Sequence, residues 1–294
     1  MPIRRKPEWL RKKINPAAHG AMDGMLDELK LHTVCREARC PNITECFRNR
    51  QATFLILGAD CTRLCSFCNV TKRTPLPPDG GEPARVAEAI VRLGLSHVVI
   101  TSPTRDDLVD GGAKHYAETV RAIRSASPET VIELLIPDFL GNRGALEVVV
   151  ASGPDIIGHN LETVPRLYHI RQGADYRRSL RLLADLRELA PELKTKSGIM
   201  LGLGEEEEEV LQVLADLRGV DCNYLSIGQY LQPSLNHQPV AGFIEPAVFD
   251  NYRDHGLALG FAHVESGPYV RSSYMADRYG RQSARKSSLQ QLVP

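Results

Sequence analysis

The chain has 294 residues, and its 36 Lys and Arg residues are balanced by 36 Asp and Glu residues. This balance gives no reason to expect nucleic acid or an anionic membrane surface as a partner. No apolar run approaches the roughly 20 residues of a transmembrane helix, and the basic first 13 residues lack the apolar region of a secretory signal.

Residues 1–50 are predicted to form a separate N-terminal extension. It begins with an arm or short helix at residues 6–12, followed by a second short helix at residues 23–31. Three cysteines then occur at a Cx4Cx5C spacing, and Pro41 and Asn42 predict a turn among them. The extension therefore carries the first of two cysteine sets, namely Cys35, Cys40 and Cys46.

From Thr53 onward, β-prone apolar runs alternate with helical patterns. Strands are predicted at residues 53–57, 97–101, 131–135, 155–159, 195–200 and 224–227. Helices are predicted at residues 85–93, 113–125, 144–151, 178–190, 205–218 and 246–260. Such alternation favours a parallel sheet with right-handed crossovers, and the length suits one α/β barrel.

Six strand–helix units are too few for a closed eight-stranded barrel. We therefore predict an α/β fold, an open partial (β/α)6 TIM-like barrel, over residues 51–260. Residues 261–294 would be a C-terminal extension. A doubly wound sheet is the alternative, but no GxGxxG motif follows the first strand. In either fold the ligand site lies where the strands end.

Six of the seven cysteines lie between Cys35 and Cys68. A disulfide framework would be spread more widely and would belong to a secreted protein. We interpret the cluster as metal ligands in a reducing compartment and expect a cytoplasmic location. Cys222 stands at an apolar strand start and is most simply a buried packing residue.

The second cysteine set has a CxxxCxxC spacing directly after the first predicted strand, with Cys61, Cys65 and Cys68 as its members. Three thiolates are one ligand short of a closed site, and on a [4Fe–4S] cube they leave one iron open to a substrate or cofactor. A zinc site would need a fourth Cys or His, and no such pair follows closely. Three unliganded cysteines are the remaining alternative.

This spacing resembles the signature of the radical S-adenosylmethionine (SAM) enzymes, in which the open iron chelates the amino and carboxylate groups of SAM. The resemblance implies that residues at the strand ends contact SAM. Residues 198–205 are similar to the GxIxGxxE element that packs against adenine, and Asn160 and Glu162 stand where ribose contacts occur. The implied SAM contacts are Thr101, Asn160, Glu162, Gly198, Met200, Gly202 and Gln229.

One motif has an unusual position. Gly80, Gly81, Glu82 and Pro83 spell the GGEP sequence that contacts SAM after the second strand in this superfamily. Here the motif precedes the first predicted helix, so we interpret it as a turn and a helix start. Its positional counterpart would be residues 101–107.

The Cx4Cx5C set followed by CxxxCxxC resembles the lipoyl synthase family. A structural zinc with His32 as fourth ligand is the alternative for the first set. The similarity extends over nearly the whole chain and ends in an RSSY motif at residues 271–274. The resemblance implies that Ser272, the first serine of that motif, is the fourth ligand of an auxiliary [4Fe–4S] cluster. The C-terminal tail would then fold back over the barrel mouth.

The resemblance also implies the reaction. A first SAM gives a 5′-deoxyadenosyl radical that abstracts hydrogen from C6 of a protein-bound octanoyl-lysyl group, and a second SAM serves C8. The auxiliary cluster supplies both sulfur atoms. Implied partners are an octanoylated lipoyl carrier domain or H-protein and an external electron donor of flavodoxin or ferredoxin type. Arg105, Asp107 and Arg271 would orient SAM or the acyl-lysine.

Two other functions are alternatives to this one. A radical SAM methylthiotransferase also uses two three-cysteine sets, but it would carry an RNA-binding domain and a basic surface. A non-catalytic iron–sulfur electron carrier would need closed four-cysteine clusters and no prepared strand ends. Neither pattern matches the length, charge balance and incomplete cysteine sets of this chain.

Overall fold

The computed structural model describes residues 5–11, 20–48, 51–276 and 278–279. Lys12, at the end of the predicted N-terminal arm, and the chain after Tyr279 lie outside these residues. Nine α-helices are present in the described part of the chain. They are α1 (Gly20–Glu28), α2 (Val34–Glu37), α3 (Ile43–Arg48), α4 (Glu82–Leu93), α5 (Ala113–Ala126), α6 (Arg143–Ala151), α7 (Tyr176–Leu189), α8 (Glu207–Gly219) and α9 (Pro246–Ala258).

The described residues also form one eight-stranded sheet whose strand order follows the chain. The strands are β1 (His32–Thr33), β2 (Thr53–Leu55), β3 (His97–Thr101), β4 (Val131–Leu135), β5 (Ile156–Gly158), β6 (Lys194–Leu201), β7 (Tyr224–Gln229) and β8 (His263–Gly267). Strands β2 to β8 are parallel, and β1 pairs antiparallel with β2. No pairing joins β8 to β1 within this sheet, so the predicted open α/β barrel is confirmed.

All six predicted strands are present, but the sheet has two more. Strand β1 has only two residues, too short to give a periodic signal. Strand β8 lies within the segment that we assigned to the C-terminal extension, and it pairs with β7 over five residues. Only Val264 of β8 is buried, so the strand lacks the apolar run by which the others were predicted.

The two faces of the sheet have different partners. Val98, Ile100, Ile132 and Leu134 belong to the large core beneath the helices. Because side chains alternate along a strand, Val99 and Glu133 point to the opposite, inner face of the barrel. A smaller apolar cluster fills part of that interior and includes Tyr279.

The GGEP sequence forms a turn and a helix start, as predicted, since α4 begins at Glu82. The Glu82 side chain is buried. Its Oε2 accepts a hydrogen bond from the Leu57 N–H at 2.7 Å and lies 2.7 Å from His115 Nε2. Glu82 therefore supports the backbone at the end of β2.

The C-terminal segment runs along the inside of the barrel. It enters beside Gly228 of β7, where an added Cβ would lie only 2.1 Å from the Val270 carbonyl oxygen. Its last described residue, Tyr279, packs against the first residues of β3, β7 and β8, which are His97, Tyr224 and His263. The segment thus passes from the mouth of the barrel to the opposite end.

Candidate active site

The CxxxCxxC cysteines line a cavity of about 830 Å³ at the ends of the parallel strands, hereafter the first chamber. Strands β3 to β5 supply much of its wall, and Thr101, Asn160 and Glu162 contribute to it. Glu162 has a positive φ of 66° and forms an isolated bridge with Ile199 of β6. This bend turns the chain after β5 across the mouth of the barrel.

The loop that carries these cysteines is held by a buried arginine that we did not predict. Arg63 donates from Nε to Asp106 Oδ2 at 2.7 Å and from Nη1 to Asp138 Oδ2 at 3.1 Å. On the other side, the Ser66 N–H donates to the Ile170 carbonyl at 2.9 Å. The loop is therefore fixed by long-range contacts rather than by its own sequence.

Burial raises the pKa of two of the thiols that line the first chamber. It raises the pKa of Cys68 to about 12, and it raises the pKa of Cys65 although the nearby Arg171 guanidinium acts in the opposite direction. Such thiols are protonated at neutral pH in the free protein. A bound metal centre would take them as thiolates, so loading the site releases protons.

The other three cysteines line a second cavity of about 500 Å³, hereafter the second chamber. Cys35 is buried, and burial followed by the neighbouring Cys40 raises its pKa to about 12. The chamber joins the two ends of the chain. Asn42 Nδ2 donates to the Tyr269 carbonyl at 2.7 Å, and the Tyr274 hydroxyl donates to Glu45 at 3.1 Å.

Ser272, the predicted fourth ligand of the auxiliary cluster, makes its contacts with the barrel wall. Its hydroxyl accepts a hydrogen bond from Asn160 Nδ2 at 2.6 Å, and Ser272 does not line the second chamber. Ser273 does line that chamber, and its hydroxyl accepts from Thr53 Oγ1 at 2.6 Å. Both serines also line a further cavity, but only Ser273 reaches the second chamber.

A third space of about 720 Å³, hereafter the middle cavity, lies between the two chambers. It shares Leu135, Asn160 and Glu162 with the first chamber. It shares Thr53, Arg271 and Ser273 with the second. The middle cavity therefore has a wall in common with each of the two chambers that the cysteine sets line.

The donor chemistry of both chambers fits iron–sulfur clusters. Within the described residues, no three His, Cys, Asp or Glu side chains converge as they would on one metal ion. A [4Fe–4S] cube instead distributes its protein ligands over separate irons. Each chamber offers three thiols beside an open space, and soft thiolates suit such clusters.

The predicted SAM contacts fall into two groups. Thr101, Asn160 and Glu162 line the first chamber, and Gly198 and Met200 line the middle cavity. Burial raises the pKa of Glu162, against the influence of Arg171. These five positions lie on the walls of the first chamber and the middle cavity.

Gly202 and Gln229, the other two predicted SAM contacts, line none of the three cavities. The Gln229 side chain is fully buried. Its Nε2 donates to the carbonyls of Leu201 and Tyr230, each at 3.0 Å, and its Oε1 accepts from the Ile244 N–H at 2.8 Å. Gln229 therefore braces the loops beyond β6 and β7.

Arg105 and Asp107, two of the predicted substrate contacts, bond to each other, and Arg105 also bonds to backbone. Arg105 is 1% exposed and donates to the Leu57 and Leu76 carbonyls at 3.0 Å, as well as to Asp107 at 2.8 Å. Neither residue lines the three cavities. They support the start of the cysteine loop, whereas Arg271 does border both the middle cavity and the second chamber.

Comparison with known proteins decides the family. Residues 55–217 match the model of the Radical SAM superfamily. The chain is 76% identical to a lipoyl synthase of Geobacter metallireducens over 282 residues, which cover 96% of this chain and 100% of that protein. The chain belongs to the lipoyl synthase family. A lipoyl synthase of Geobacter sulfurreducens is 73% identical, with 95% of this chain and 92% of that protein covered.

Solved structures agree on the fold. The model resembles methylornithine synthase (PylB), with a TM-score of 0.54 and 15% identity over 72% of this chain and 69% of that chain. It also resembles HydG, a maturase of the [FeFe]-hydrogenase, with a TM-score of 0.55 and 12% identity over 78% and 62% of the two chains. At these identities the similarity concerns the fold alone.

As a member of the lipoyl synthase family, the chain is a radical SAM sulfurtransferase of lipoate biosynthesis whose cofactors are two [4Fe–4S] clusters and SAM. Lipoyl synthases act on lipoyl carrier proteins, and radical SAM enzymes require a reductant. No helix in the described part of the chain has the length and apolarity to span a membrane.

Proposed function

We propose that the protein inserts two sulfur atoms, at C6 and C8, into an octanoyl group held by a lysine of a carrier protein. One observation carries this proposal. The middle cavity shares walls with both cysteine chambers, so a chain end within it lies between a radical source and a sulfur source.

In this arrangement Cys61, Cys65 and Cys68 hold the cluster that binds SAM, and Cys35, Cys40 and Cys46 hold the auxiliary cluster. Together with SAM these groups supply a 5′-deoxyadenosyl radical at one end of the site and sulfur at the other. The residues of this chain bind and orient both. Asn160 and Glu162 stand on the wall shared with the first chamber and are placed to bind the SAM ribose.

We assign the fourth ligand of the auxiliary cluster to Ser273 instead of Ser272. Ser273 lines the second chamber with the three cysteines, and the Thr53 hydroxyl donates to its oxygen. A hydrogen bond to the charged form favours that form, so Thr53 would stabilise a Ser273 alkoxide. Oxygen is a harder ligand than sulfur, so a serine oxygen suits the iron of an iron–sulfur cluster less well than the three cysteine thiolates do. The serine is therefore the ligand that would leave most readily.

Protein surroundings also protect the reaction from water. Tyr279 of the C-terminal segment packs with Tyr224 of β7 and Val99 of β3, and this cluster fills part of the barrel interior. This apolar plug leaves the mouth as the route for the acyl-lysine. Excluding water keeps a radical from being quenched by side reactions.

The partners follow from the same chemistry. The substrate protein is an octanoylated lipoyl carrier domain or H-protein, and the electron enters from a flavodoxin or ferredoxin type of donor. Six cysteines that must stay reduced until a cluster forms call for a reducing compartment, so we place the enzyme in the cytoplasm.

The test compares the two serines in anaerobically reconstituted enzyme. Ser273→Ala should lower the iron content of the auxiliary cluster and alter its Mössbauer spectrum, while Ser273→Cys should retain the cluster and slow sulfur insertion. Ser272→Ala is the matched control, and it should leave the auxiliary spectrum near that of wild type. The assignment is wrong if Ser272→Ala changes that spectrum and Ser273→Ala does not.

A further inference from the structure

We infer that Lys196, held by Glu133 and Tyr279, is a positioning residue that orients the Ser272–Ser273 peptide toward the auxiliary cluster. The inference deepens the proposed function and rests on Ser273 as the fourth ligand. Lys196 belongs to β6 and Glu133 to β4, and both point into the barrel. None of the sequence motifs includes either residue.

The contacts of Lys196 link the barrel wall to the C-terminal segment. Its Nζ donates to Glu133 Oε1 at 2.8 Å and makes short contacts with the Ser272 carbonyl oxygen and the Tyr279 hydroxyl. The Tyr279 hydroxyl donates to the other Glu133 oxygen at 2.8 Å. His97 Nε2 lies 3.1 Å from that same oxygen. Lys196 therefore ties the Ser272 carbonyl to a carboxylate on β4, two strands away in the sheet.

Removing the charges of Lys196 and Glu133 from water costs free energy. The Lys196 and Glu133 side chains are 3% and 2% exposed, and the surrounding interior is apolar. Replacing a buried ion pair with apolar residues of similar volume is often neutral or stabilising. Core stability alone therefore gives a weak reason for a charged pair here. An apolar side chain could fill the space but could not bond the Ser272 carbonyl.

Ser272 is held at two points. Lys196 binds its carbonyl oxygen, and Asn160 donates to its hydroxyl. With both groups fixed, the following peptide has one orientation, and that orientation places the Ser273 hydroxyl beside Thr53 on the wall of the second chamber. Without the bond from Lys196, this peptide would be free to rotate and to withdraw Ser273 from the cysteines.

If Lys196 and Glu133 only stabilise the fold, their loss has different effects from those expected if Lys196 positions the cluster ligand. Loss of a structural pair lowers the free energy of unfolding and leaves the spectrum of any loaded cluster as it was. Loss of the positioning contact changes the ligand set of one cluster, so its spectrum changes and sulfur insertion becomes uncoupled from SAM cleavage. The experiment must therefore measure both properties in folded holoenzyme.

The key variants are Lys196→Met and the double variant Glu133→Gln/Lys196→Met, which removes both charges and leaves no unpaired carboxylate. The control is Lys194→Met, the same change two residues earlier on β6. We expect both key variants to give the auxiliary-cluster Mössbauer spectrum of Ser273→Ala. We also expect the lipoyl product formed per 5′-deoxyadenosine to fall by about tenfold or more. Lys194→Met should do neither.

The outcomes separate the inference from the proposed function. If Ser273→Ala changes the auxiliary spectrum but the folded double variant keeps the wild-type spectrum and product ratio, Lys196 has no positioning role. If Ser273→Ala itself leaves the spectrum unchanged, the ligand assignment fails first. Should Lys196→Met alone not fold, the double variant decides, with Tyr279→Phe expected to give a smaller change in the same direction.

Discussion

At the scale of single residues, Asp138 shows how a charge is kept inside the site. The side chain is fully buried, and it accepts from Arg63 Nη2 at 2.5 Å and from Arg178 Nε at 2.9 Å. Burial by itself would raise the pKa of Asp138, but the hydrogen bonds and charge of Arg63 outweigh it and lower that pKa to about 2. Asp138 thereby connects β4 to the cysteine loop.

Asp138→Asn should lower the free energy of unfolding of the apoprotein by about 1–3 kcal/mol, because it removes the buried charge that accepts from Arg63 and Arg178, while Asp106 still pairs with Arg63. It should also slow loading of the first chamber, since Arg63 then loses one of its two anchors. Urea unfolding measures the first effect. Asp250→Asn removes a surface ion pair with Arg253 and is the control, expected to remain near wild type.

His159 gives a prediction about pH. The imidazole is buried between the Ile136 carbonyl and the Ser179 hydroxyl, each 2.9 Å from a ring nitrogen. Burial, aided by the Arg171 charge, lowers the pKa of His159 to about 4. Between roughly pH 6.5 and 4 this histidine is protonated in the unfolded chain but neutral in the folded chain. The free energy of unfolding therefore falls as the pH falls through this window.

The slope assigned to His159 is at most about 1.4 kcal/mol per pH unit. His159→Gln should flatten the pH dependence of apoprotein unfolding between pH 6.5 and 4 by that amount. Urea midpoints across the window test this. An unchanged slope in the variant would assign the proton uptake to other groups.

At the scale of elements, the position of the C-terminal segment depends on its close approach to β7. Gly228 permits this approach because it has no Cβ, and no alanine fits 2.1 Å from the Val270 carbonyl oxygen. That carbonyl is backbone and cannot rotate aside as a side chain would. The segment that carries Ser273 is therefore seated by one glycine of the sheet.

Gly228→Ala should displace residues 270–273 and reduce the iron held by the second chamber. The matched control is Gly219→Ala at the end of α8, where an added Cβ meets nothing within 4 Å. Iron content after reconstitution and the free energy of unfolding should both drop in the first variant and stay near wild type in the second. Equal behaviour of the two variants would show that the approach is not required.

Much of this architecture was predictable from local pattern, and the failures have physical reasons. The apolar, β-prone runs predicted β2 to β7, whereas β8 was missed because only Val264 of it is buried. The RSSY motif predicted a serine ligand, but spacing cannot say which serine faces the cysteines. That choice depends on the contacts of Ser272 with Asn160 and Lys196, far away in sequence.

Other site residues carried a signal that could have been used. Glu133 is a charged residue inside the otherwise apolar strand β4, a pattern that predicts a buried charge with a partner, and Lys196 of β6 is that partner. In the opposite direction, the charged motif of Arg105 and Asp107 suggested substrate binding, but the Arg105 guanidinium is occupied by backbone carbonyls. A charged residue in a loop can bind a ligand or hold the neighbouring backbone in place, and its charge alone does not distinguish these roles.

At the scale of the whole molecule, the two ends of the chain build one half of the site. The N-terminal extension meets the C-terminal segment through Asn42 and Tyr269 and through Glu45 and Tyr274, and Thr53 at the start of β2 meets Ser273. The barrel builds the other half. Each half holds one cysteine set, so we expect substitutions in one set to remove one cluster and leave the other bound.

Replacing Cys61, Cys65 and Cys68 with Ala should remove about half of roughly eight irons and abolish reductive cleavage of SAM. Replacing Cys35, Cys40 and Cys46 should also remove about half of the iron, but SAM cleavage should continue without sulfur insertion. Iron and sulfide analysis with an assay for 5′-deoxyadenosine distinguishes the two variants. Loss of all iron in both would mean that the cysteines share one site.

The most direct test of the account is a single turnover of enzyme whose clusters were reconstituted with heavy-isotope sulfide, supplied with SAM and an octanoyl-lysyl peptide in unlabelled buffer. Mass spectrometry of the peptide reports the origin of each sulfur atom. The account predicts two heavy sulfur atoms in the lipoyl product, and no product from the variant lacking Cys35, Cys40 and Cys46. A product with unlabelled sulfur, or one formed by that variant, would contradict the second chamber as the sulfur source.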